Sequence, residues 1–154
     1  MKEVNALNSV AEFHQVFKHP IKQDPIIPDQ DRCDLRIELI QEELNELRQA
    51  IIDNDLVEVA DALCDIQYVL AGAVLEFGLG HNFATLFAEV QRSNMSKACE
   101  TKEVAEKTVA HYAKQGTDAY IIASDGKYLV YRKADNKTLK SIKYSPANLK
   151  KILD

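Results

Sequence analysis

The sequence has few cysteines, and they form no recognisable motif. Cys33, Cys64 and Cys99 are the three cysteines of the 154 residues, an odd number without a C-x-x-C pair. This count and spacing exclude the common zinc motifs and a disulfide framework. We therefore expect free thiols in a reducing cytoplasm.

Long apolar runs are also missing. The longest, residues 69–75, contains a glycine and stops at Glu76, so it is far too short to span a membrane. The first residues, Met1 to Asn5, lack the apolar core of a signal peptide. The sequence thus predicts a soluble, cytoplasmic protein without a membrane partner.

Basic residues are the minority among the charged ones. The chain has 19 Lys and Arg against 24 Asp and Glu, a net charge of −5. Nucleic-acid backbones require a basic surface, so nucleic acid is not an expected partner. A hydrophobic content of 46% and a charged content of 28% instead fit one globular domain with a real core.

Several familiar catalytic motifs are absent as well. The sequence contains no P-loop, no G-x-G-x-x-G and no His-x-x-x-His pair. Ser93 and Ser96 have no nearby His and Asp that would make either one a nucleophile. The four histidines are scattered, which favours structural or exposed roles; they are His14, His19, His81 and His111.

Helical periodicity dominates the first two thirds of the chain. The pattern predicts helices over about 7–18, 30–53, 55–77, 82–93 and 101–115. Three prolines between positions 19 and 28 require an extended link after the first helix. In the first helix Phe13 and Phe17 are four residues apart, a spacing more typical of core residues than of base-stacking ones.

The last forty residues predict β-structure. Residues 119–123 and 127–132 are β-rich and flank an Asp-Gly pair, which indicates a hairpin, and 139–142 is a candidate third strand. The expected fold is mainly α, a bundle of about four to five helices with a small C-terminal β-hairpin or meander. We expect a helical domain over 1–116 and a β appendage over 117–154 packed on the same domain.

An acidic stripe marks the second long helix, 55–77. This helix is apolar or small around most of its circumference, which predicts burial. Glu58, Asp61 and Asp65 nevertheless fall within roughly 60° of one another, and Tyr68 continues the stripe one turn later. No Lys or Arg occurs in residues 49–91. The carboxylates must therefore be neutralised, meet cations from elsewhere, or hold a metal.

The first long helix carries a second set of carboxylates. Glu38, Glu42 and Glu46 follow one another at single-turn spacing, and Glu43 borders the apolar stripe. Two long helices joined by a short break pack antiparallel by default, which would bring Glu43 and Glu46 against Glu58 and Asp61. Such a set favours hard cations, Mg²⁺ first and Mn²⁺ second. An ordinary solvated acidic face is the alternative.

At these residues the sequence resembles the all-α nucleotide pyrophosphohydrolases, the superfamily of MazG, dimeric dUTPase and phosphoribosyl-ATP pyrophosphohydrolase. The resemblance rests on E-E-x-x-E at residues 42–46, eleven intervening residues, and E-x-x-D at residues 58–61. A closer resemblance is to the phosphoribosyl-ATP-pyrophosphohydrolase-like subgroup, through Phe13-His14, the proline-bearing link and the stretch at residues 92–97. It covers about residues 10–100.

The resemblance implies specific roles. The implied metal ligands are Glu43, Glu46, Glu58 and Asp61, with Glu42 and Asp65 holding further metal or the attacking water. Our candidates for the general base are Glu42 and Glu46. The implied substrate-binding residues are Asn94, Lys97 and His14. A homodimer or homotetramer with sites near its interfaces is implied too, which agrees with the large apolar surface of the two long helices.

Four functions compete at this point. The leading one is Mg²⁺-dependent hydrolysis of a nucleoside triphosphate to monophosphate and pyrophosphate. Hydrolysis of phosphoribosyl-ATP is a variant of the same chemistry. A di-iron carboxylate bundle would need Glu-x-x-His motifs that the chain lacks. A non-enzymatic helical module would use the acidic stripe as an electrostatic docking face.

Overall fold

A computed structural model describes residues 4–154 as a mainly helical protein, confirming the expected fold class. The helices and strands, in chain order, are α1 (Ala6–Phe17), α2 (Gln30–Ile52), α3 (Leu56–Glu76), α4 (Phe83–Met95), α5 (Lys102–Ala113), β1 (Ala119–Ser124), β2 (Lys127–Arg132) and α6 (Lys150–Leu153). All three cysteine thiols are free. Within the described part of the chain, no helix is long and apolar enough to cross a membrane.

The chain divides into two compact units, one ending at Phe83 and one covering Ala84–Asp154. The boundary predicted from the sequence, at 116/117, instead groups α4 and α5 with the preceding helices. In the structure α5 packs against the hairpin, and a shared core of Cys99, Ala105, Val130 and Leu139 joins them. That core explains why the helix and the strands form one unit.

The first unit consists of α1, α2 and α3. The helices α2 and α3 run antiparallel, so that Arg36 near the start of α2 meets Glu76 at the end of α3. The short break between them gives α3 a capped start, because the Asp55 carboxylate accepts hydrogen bonds from the amides of Val57 and Glu58. The helix α1 packs on α3 through Val10, whose side chain is buried there.

The end of α3 depends on a glycine. Gly78 has a φ of +67°, a left-handed conformation that favours glycine. A Cβ built on it would lie 1.9 Å from the carbonyl oxygen of Asp24. The extended, proline-bearing link therefore lies directly against the end of α3. The Lys22 amide in this link also donates a hydrogen bond to the Leu75 carbonyl at 3.0 Å.

The expected burial of α3 on all sides is wrong for the single chain. Leu56, Leu63 and Leu70 are 80%, 51% and 41% exposed. Within the first unit, α1 and α2 cover only part of the circumference of α3. Consequently Glu58 and Asp61 are exposed as well, and only Asp65 of the acidic stripe is half-buried.

The second unit contains the predicted hairpin. β1 and β2 pair antiparallel from Ala119↔Arg132 to Ser124↔Lys127. The two loop residues, Asp125 and Gly126, have φ of +48° and +76°, as a type I′ turn requires. The predicted third strand is absent, because residues 139–142 hydrogen-bond in turn to β2 and to Lys97 and do not run along one strand. The short helix α6 was not predicted.

Candidate functional site

The inner face of α2, which packs against α3, is chemically mixed. Its less exposed positions recur at spacings of three and four, as helical geometry requires. Along this face the chain places two basic residues, an apolar one, an acidic one and two further apolar ones: Arg32, Arg36, Leu39, Glu43, Leu47 and Ala50. Glu43 is thus the one member of the E-E-x-x-E motif whose side chain is half-buried.

Glu43 has an unusual electrostatic environment. Its Oε2 atom is buried without a hydrogen-bond partner. Burial raises the pKa of its carboxyl group, and the nearby carboxylates raise that pKa further; they are Asp65, Glu46, Glu42 and Asp61. The structure therefore brings acidic residues of both helices together around Glu43, with Asp65 as its strongest electrostatic neighbour.

The geometry differs in detail from the expected pairing. Asp65 and Asp61 of α3 raise the pKa of Glu43, while Glu58 is not among the groups that raise it. Glu58 lies in the first turn of α3, where its amide takes part in the Asp55 cap. Within residues 4–154, no group of three or more His, Cys, Asp or Glu side chains is already close enough to hold a metal ion. The carboxylates of α2 and α3 are thus near one another, but no three of them are close enough to coordinate one ion as the side chains stand.

The donor set fits a hard divalent cation. The charged groups that raise the pKa of Glu43 are all carboxylates, and the sequence from 49 to 91 supplies no Lys or Arg to neutralise them. The unpartnered buried oxygen and the raised pKa both show that the Glu43 anion lacks a compensating partner. A divalent cation would satisfy the orphaned Glu43 oxygen and offset the repulsion, so the residues present fit Mg²⁺ or Mn²⁺.

A buried ion-pair network, which was not predicted from the sequence, lies at the other end of the helix pair. Glu76 is 1% exposed and accepts hydrogen bonds from the guanidinium groups of Arg32 and Arg36. Burial alone would raise the pKa of Glu76, but these two arginines outweigh it and lower the pKa. A signal was present: Glu76 is the acidic end of an apolar run, and the arginines are one turn apart.

His14 belongs to the same network. It is 3% exposed, and its Nδ1 lies 2.9 Å from the carbonyl oxygen of Pro20, which can only accept. Nδ1 therefore carries the proton, and Nε2 faces the Arg36 guanidinium at 3.5 Å as an acceptor. Burial lowers the pKa of His14, and Arg36 lowers it further. This buried, hydrogen-bonded position fits a structural role for His14, and its predicted contact with substrate stays a prediction.

Asn94 and Lys97 lie in the second unit, at the end of α4. The Lys97 ammonium donates a hydrogen bond to the Asn94 side-chain oxygen at 2.7 Å. The turn that holds them is fixed by the C-terminal segment, since the Ser141 amide donates to the Lys97 carbonyl and the Ser145 amide donates to the Ser96 hydroxyl. Asn94 and Lys97, two of the three predicted substrate-binding residues, are therefore held together, with Asn94 exposed and Lys97 half-exposed.

The comparisons with known proteins concern the same region. The family model for phosphoribosyl-ATP pyrophosphohydrolase matches residues 10–94, more than half of the chain, including both acidic helices. An uncharacterised protein of Acanthamoeba polyphaga mimivirus is 39% identical over 75 residues, which are 46% of this chain and 30% of the relative. The aligned region thus spans less than a third of that relative's length.

The family match places the chain among the MazG-like all-α nucleoside triphosphate pyrophosphohydrolases, and the carboxylates on the paired helices α2 and α3 agree with it. Within that class, the chain belongs to the phosphoribosyl-ATP pyrophosphohydrolase family. This family consists of hydrolases that act on phosphorus anhydrides.

Proposed function

We propose that the protein is a Mg²⁺-dependent pyrophosphohydrolase that cleaves a nucleoside triphosphate to its monophosphate and pyrophosphate. The observation that carries this proposal is the environment of Glu43. A half-buried carboxylate with an unpartnered oxygen, surrounded by acidic residues of two helices, is disfavoured as an anion, and a bound cation would offset that cost. A site that needs a cation and belongs to a phosphoanhydride hydrolase is suited to the Mg²⁺ complex of a triphosphate.

In this proposal the acidic residues of α2 and α3 have two roles, metal binding and proton transfer. Glu43, Glu46, Glu58, Asp61 and Asp65 would hold Mg²⁺, with Mn²⁺ as the substitute. When bound, the cation neutralises phosphate oxygens and makes a water molecule more acidic. Either Glu46 or the exposed Glu42 accepts the proton of the water that adds to phosphorus. The anhydride bond then breaks, and pyrophosphate leaves with the bridging oxygen.

Asn94 and Lys97 are the proposed contacts to the nucleotide phosphates. The Lys97 ammonium has a side-chain partner in Asn94 and carries a positive charge that a triphosphate would attract. Because the amide oxygen of Asn94 holds the lysine in place, the two act as a pair. Lys97→Met should therefore raise the KM for the nucleotide more than it lowers kcat.

A homo-oligomer is part of the same proposal. Leu56, Leu63 and Leu70 recur every seven residues on the open face of α3, and all three are exposed. Exposed leucines at heptad spacing on one face of a helix are suited to packing against a second copy. Light scattering should report a dimer or tetramer, and Leu63→Glu should dissociate it. A wild-type monomer at micromolar concentration would contradict this part.

Phosphoribosyl-ATP is a second candidate substrate, favoured by the description of the matching family. It undergoes the same anhydride cleavage, so the carboxylate roles would not change. A panel of nucleoside triphosphates and phosphoribosyl-ATP, incubated with Mg²⁺, separates the two candidates by the rate of pyrophosphate release. The Glu58→Gln/Asp61→Asn variant is the inactive control. If no compound yields pyrophosphate above this control, the proposed function is wrong, and a non-enzymatic module that uses the acidic residues as a docking face becomes the favoured alternative.

A further inference from the structure

The two units carry opposite net charges. Residues 84–154 contain 13 Lys and Arg against 8 Asp and Glu, whereas residues 1–83 contain 6 against 16. The net charge of −5, which made nucleic acid an unexpected partner, is therefore the sum of an acidic unit and a basic unit. A basic unit of this kind meets the electrostatic condition for binding a nucleic-acid backbone.

The hairpin of the second unit has one face that does not contribute to the core. Successive residues of a strand point to opposite faces, and Ile121 and Val130 belong to the core that the hairpin shares with α5. The cross-strand pair Tyr120↔Tyr131 therefore lies on the outer face, with ring centroids 5.7 Å apart. Both rings are partly exposed, and Ile122 on the same face is 45% exposed. The outer face thus offers two adjacent aromatic rings to a flat ligand.

The turn after β2 adds positive charge at the end of this aromatic pair. The Tyr120 hydroxyl donates a hydrogen bond to the Asn136 side-chain oxygen in this turn at 2.8 Å. Lys133 and Lys137 flank Asn136 in the sequence, are exposed, and form no salt bridge within residues 4–154. The one carboxylate of the turn, that of Asp135, is 2.6 Å from the guanidinium group at the end of β2, which neutralises it. Two lysines without an acidic partner and two tyrosines together form the hairpin patch: Tyr120, Tyr131, Lys133 and Lys137.

The chemistry of the hairpin patch favours a single strand of RNA. Exposed aromatic rings on a sheet stack on unpaired bases, and lysines next to them contact the phosphates between those bases. A duplex keeps its bases inside and would leave the rings unused. The Tyr131 hydroxyl, unlike that of Tyr120, has no hydrogen-bond partner within residues 4–154. It is free to bond a ribose 2′-hydroxyl, which DNA lacks.

We propose that the hairpin patch binds single-stranded RNA, with bases stacked on Tyr120 and Tyr131 and with phosphates contacted by Lys133 and Lys137. This activity goes beyond the proposed hydrolysis, because the patch lies within the second unit and shares no residue with the carboxylates of α2 and α3. The RNA is a bound partner in this scheme, and none of its bonds is broken.

Fluorescence anisotropy of a labelled oligouridylate of about 12 nucleotides, titrated with the full chain, measures this binding. Tyr131→Leu removes one stacking ring and should raise the Kd about tenfold without changing its salt dependence. Lys133→Gln/Lys137→Gln should reduce the slope of log Kd against log salt concentration by about 1.4, since each phosphate contact on a single strand contributes about 0.7. Tyr131→Phe keeps the ring and should remove only the preference for oligouridylate over oligodeoxyuridylate, which should be about fivefold in the wild type.

Two control variants change the same kinds of group elsewhere in the second unit. Lys102→Gln/Lys107→Gln removes two lysines of α5 that pair with glutamates, and Phe87→Leu removes an exposed ring of α4. Both should keep the wild-type Kd within about twofold. Equal weakening by the two double-lysine variants would overturn the patch, because net charge alone would then explain the binding. So would three results that require no variant to fold: equal binding of an RNA duplex, equal binding of oligodeoxyuridylate, or no binding at micromolar protein and about 50 mM salt.

Discussion

Substitution of Glu43 by glutamine tests the electrostatics of the site in one experiment with two halves. In metal-free protein, Glu43 is a half-buried carboxylate near four others. Glutamine removes its charge and keeps its shape, so Glu43→Gln should raise the melting temperature above that of the wild type. Glu38→Gln, on the exposed side of the same helix, should leave it unchanged.

With Mg²⁺ the order of the melting temperatures should reverse, so that the wild type melts above Glu43→Gln. A cation at about 100 times its Kd stabilises the protein that binds it by about 2.7 kcal/mol. For a chain of this size, that corresponds to a rise of about 5–10 °C in Tm. The wild type and Glu38→Gln should show this rise, while Glu43→Gln should lose most of it. Differential scanning fluorimetry in EDTA and in a Mg²⁺ series measures both halves.

The stability of the metal-free protein should also depend on pH through Glu43. The folded-state pKa of Glu43 lies above its unfolded value, so the folded state binds this proton more tightly. Metal-free wild type should therefore gain stability as the pH falls through the folded pKa of Glu43, and Glu43→Gln should lack that gain. The reasoning is refuted if Glu43→Gln melts below the wild type in EDTA, or if Mg²⁺ stabilises both proteins equally.

Three further predictions concern the buried network. Glu76→Gln leaves the guanidinium of Arg36 buried without its counter-charge and should lower the free energy of unfolding by about 3–5 kcal/mol in urea titrations. Gly72→Ala forces a Cβ against Arg36 and His14 and should cost about 1–3 kcal/mol by the same method. His14 is held neutral with a lowered pKa, so stability is present above the unfolded value of 6.5 and should decline as the pH falls below it. Melting temperatures between pH 7.5 and 5.5 measure that decline, and His14→Gln should flatten the profile.

The network also has controls of its own. Glu103→Gln removes an exposed partner of Lys107 and should leave the unfolding free energy nearly unchanged. A Glu76→Gln protein as stable as Glu103→Gln would contradict the role assigned to the buried pair. A Gly72→Ala protein with wild-type stability would show that Arg36 has room to move.

Local rules predicted the helices and the hairpin well. Periodicity and caps placed α1, α2 and α3 within a residue or two of their observed bounds, because each has an apolar stripe and a clear stop. Asp125-Gly126 specified its turn, since both residues adopt positive φ. The failed third strand at 139–142 has the composition of a strand, but its hydrogen bonds go to partners in two different segments.

Long-range features were beyond the sequence pattern. The apolar circumference of α3 indicated burial, but Leu56, Leu63 and Leu70 are exposed in the single chain. Antiparallel packing correctly placed Glu43 opposite α3, yet the register that pairs it with Asp65 follows from contacts such as Arg36 with Glu76, 40 residues apart.

The rate of pyrophosphate release as a function of Mg²⁺ concentration tests the central claim most directly. It should be measured for the wild type, Glu38→Gln and Glu43→Gln with the best substrate of the panel. We predict a saturable requirement for Mg²⁺ in the first two proteins and a loss of about 100-fold or more in the third, beyond the effect of removing an outer-shell partner of a metal. Undiminished release by Glu43→Gln, or full activity of the wild type in EDTA, would contradict a metal-dependent site formed by these two helices.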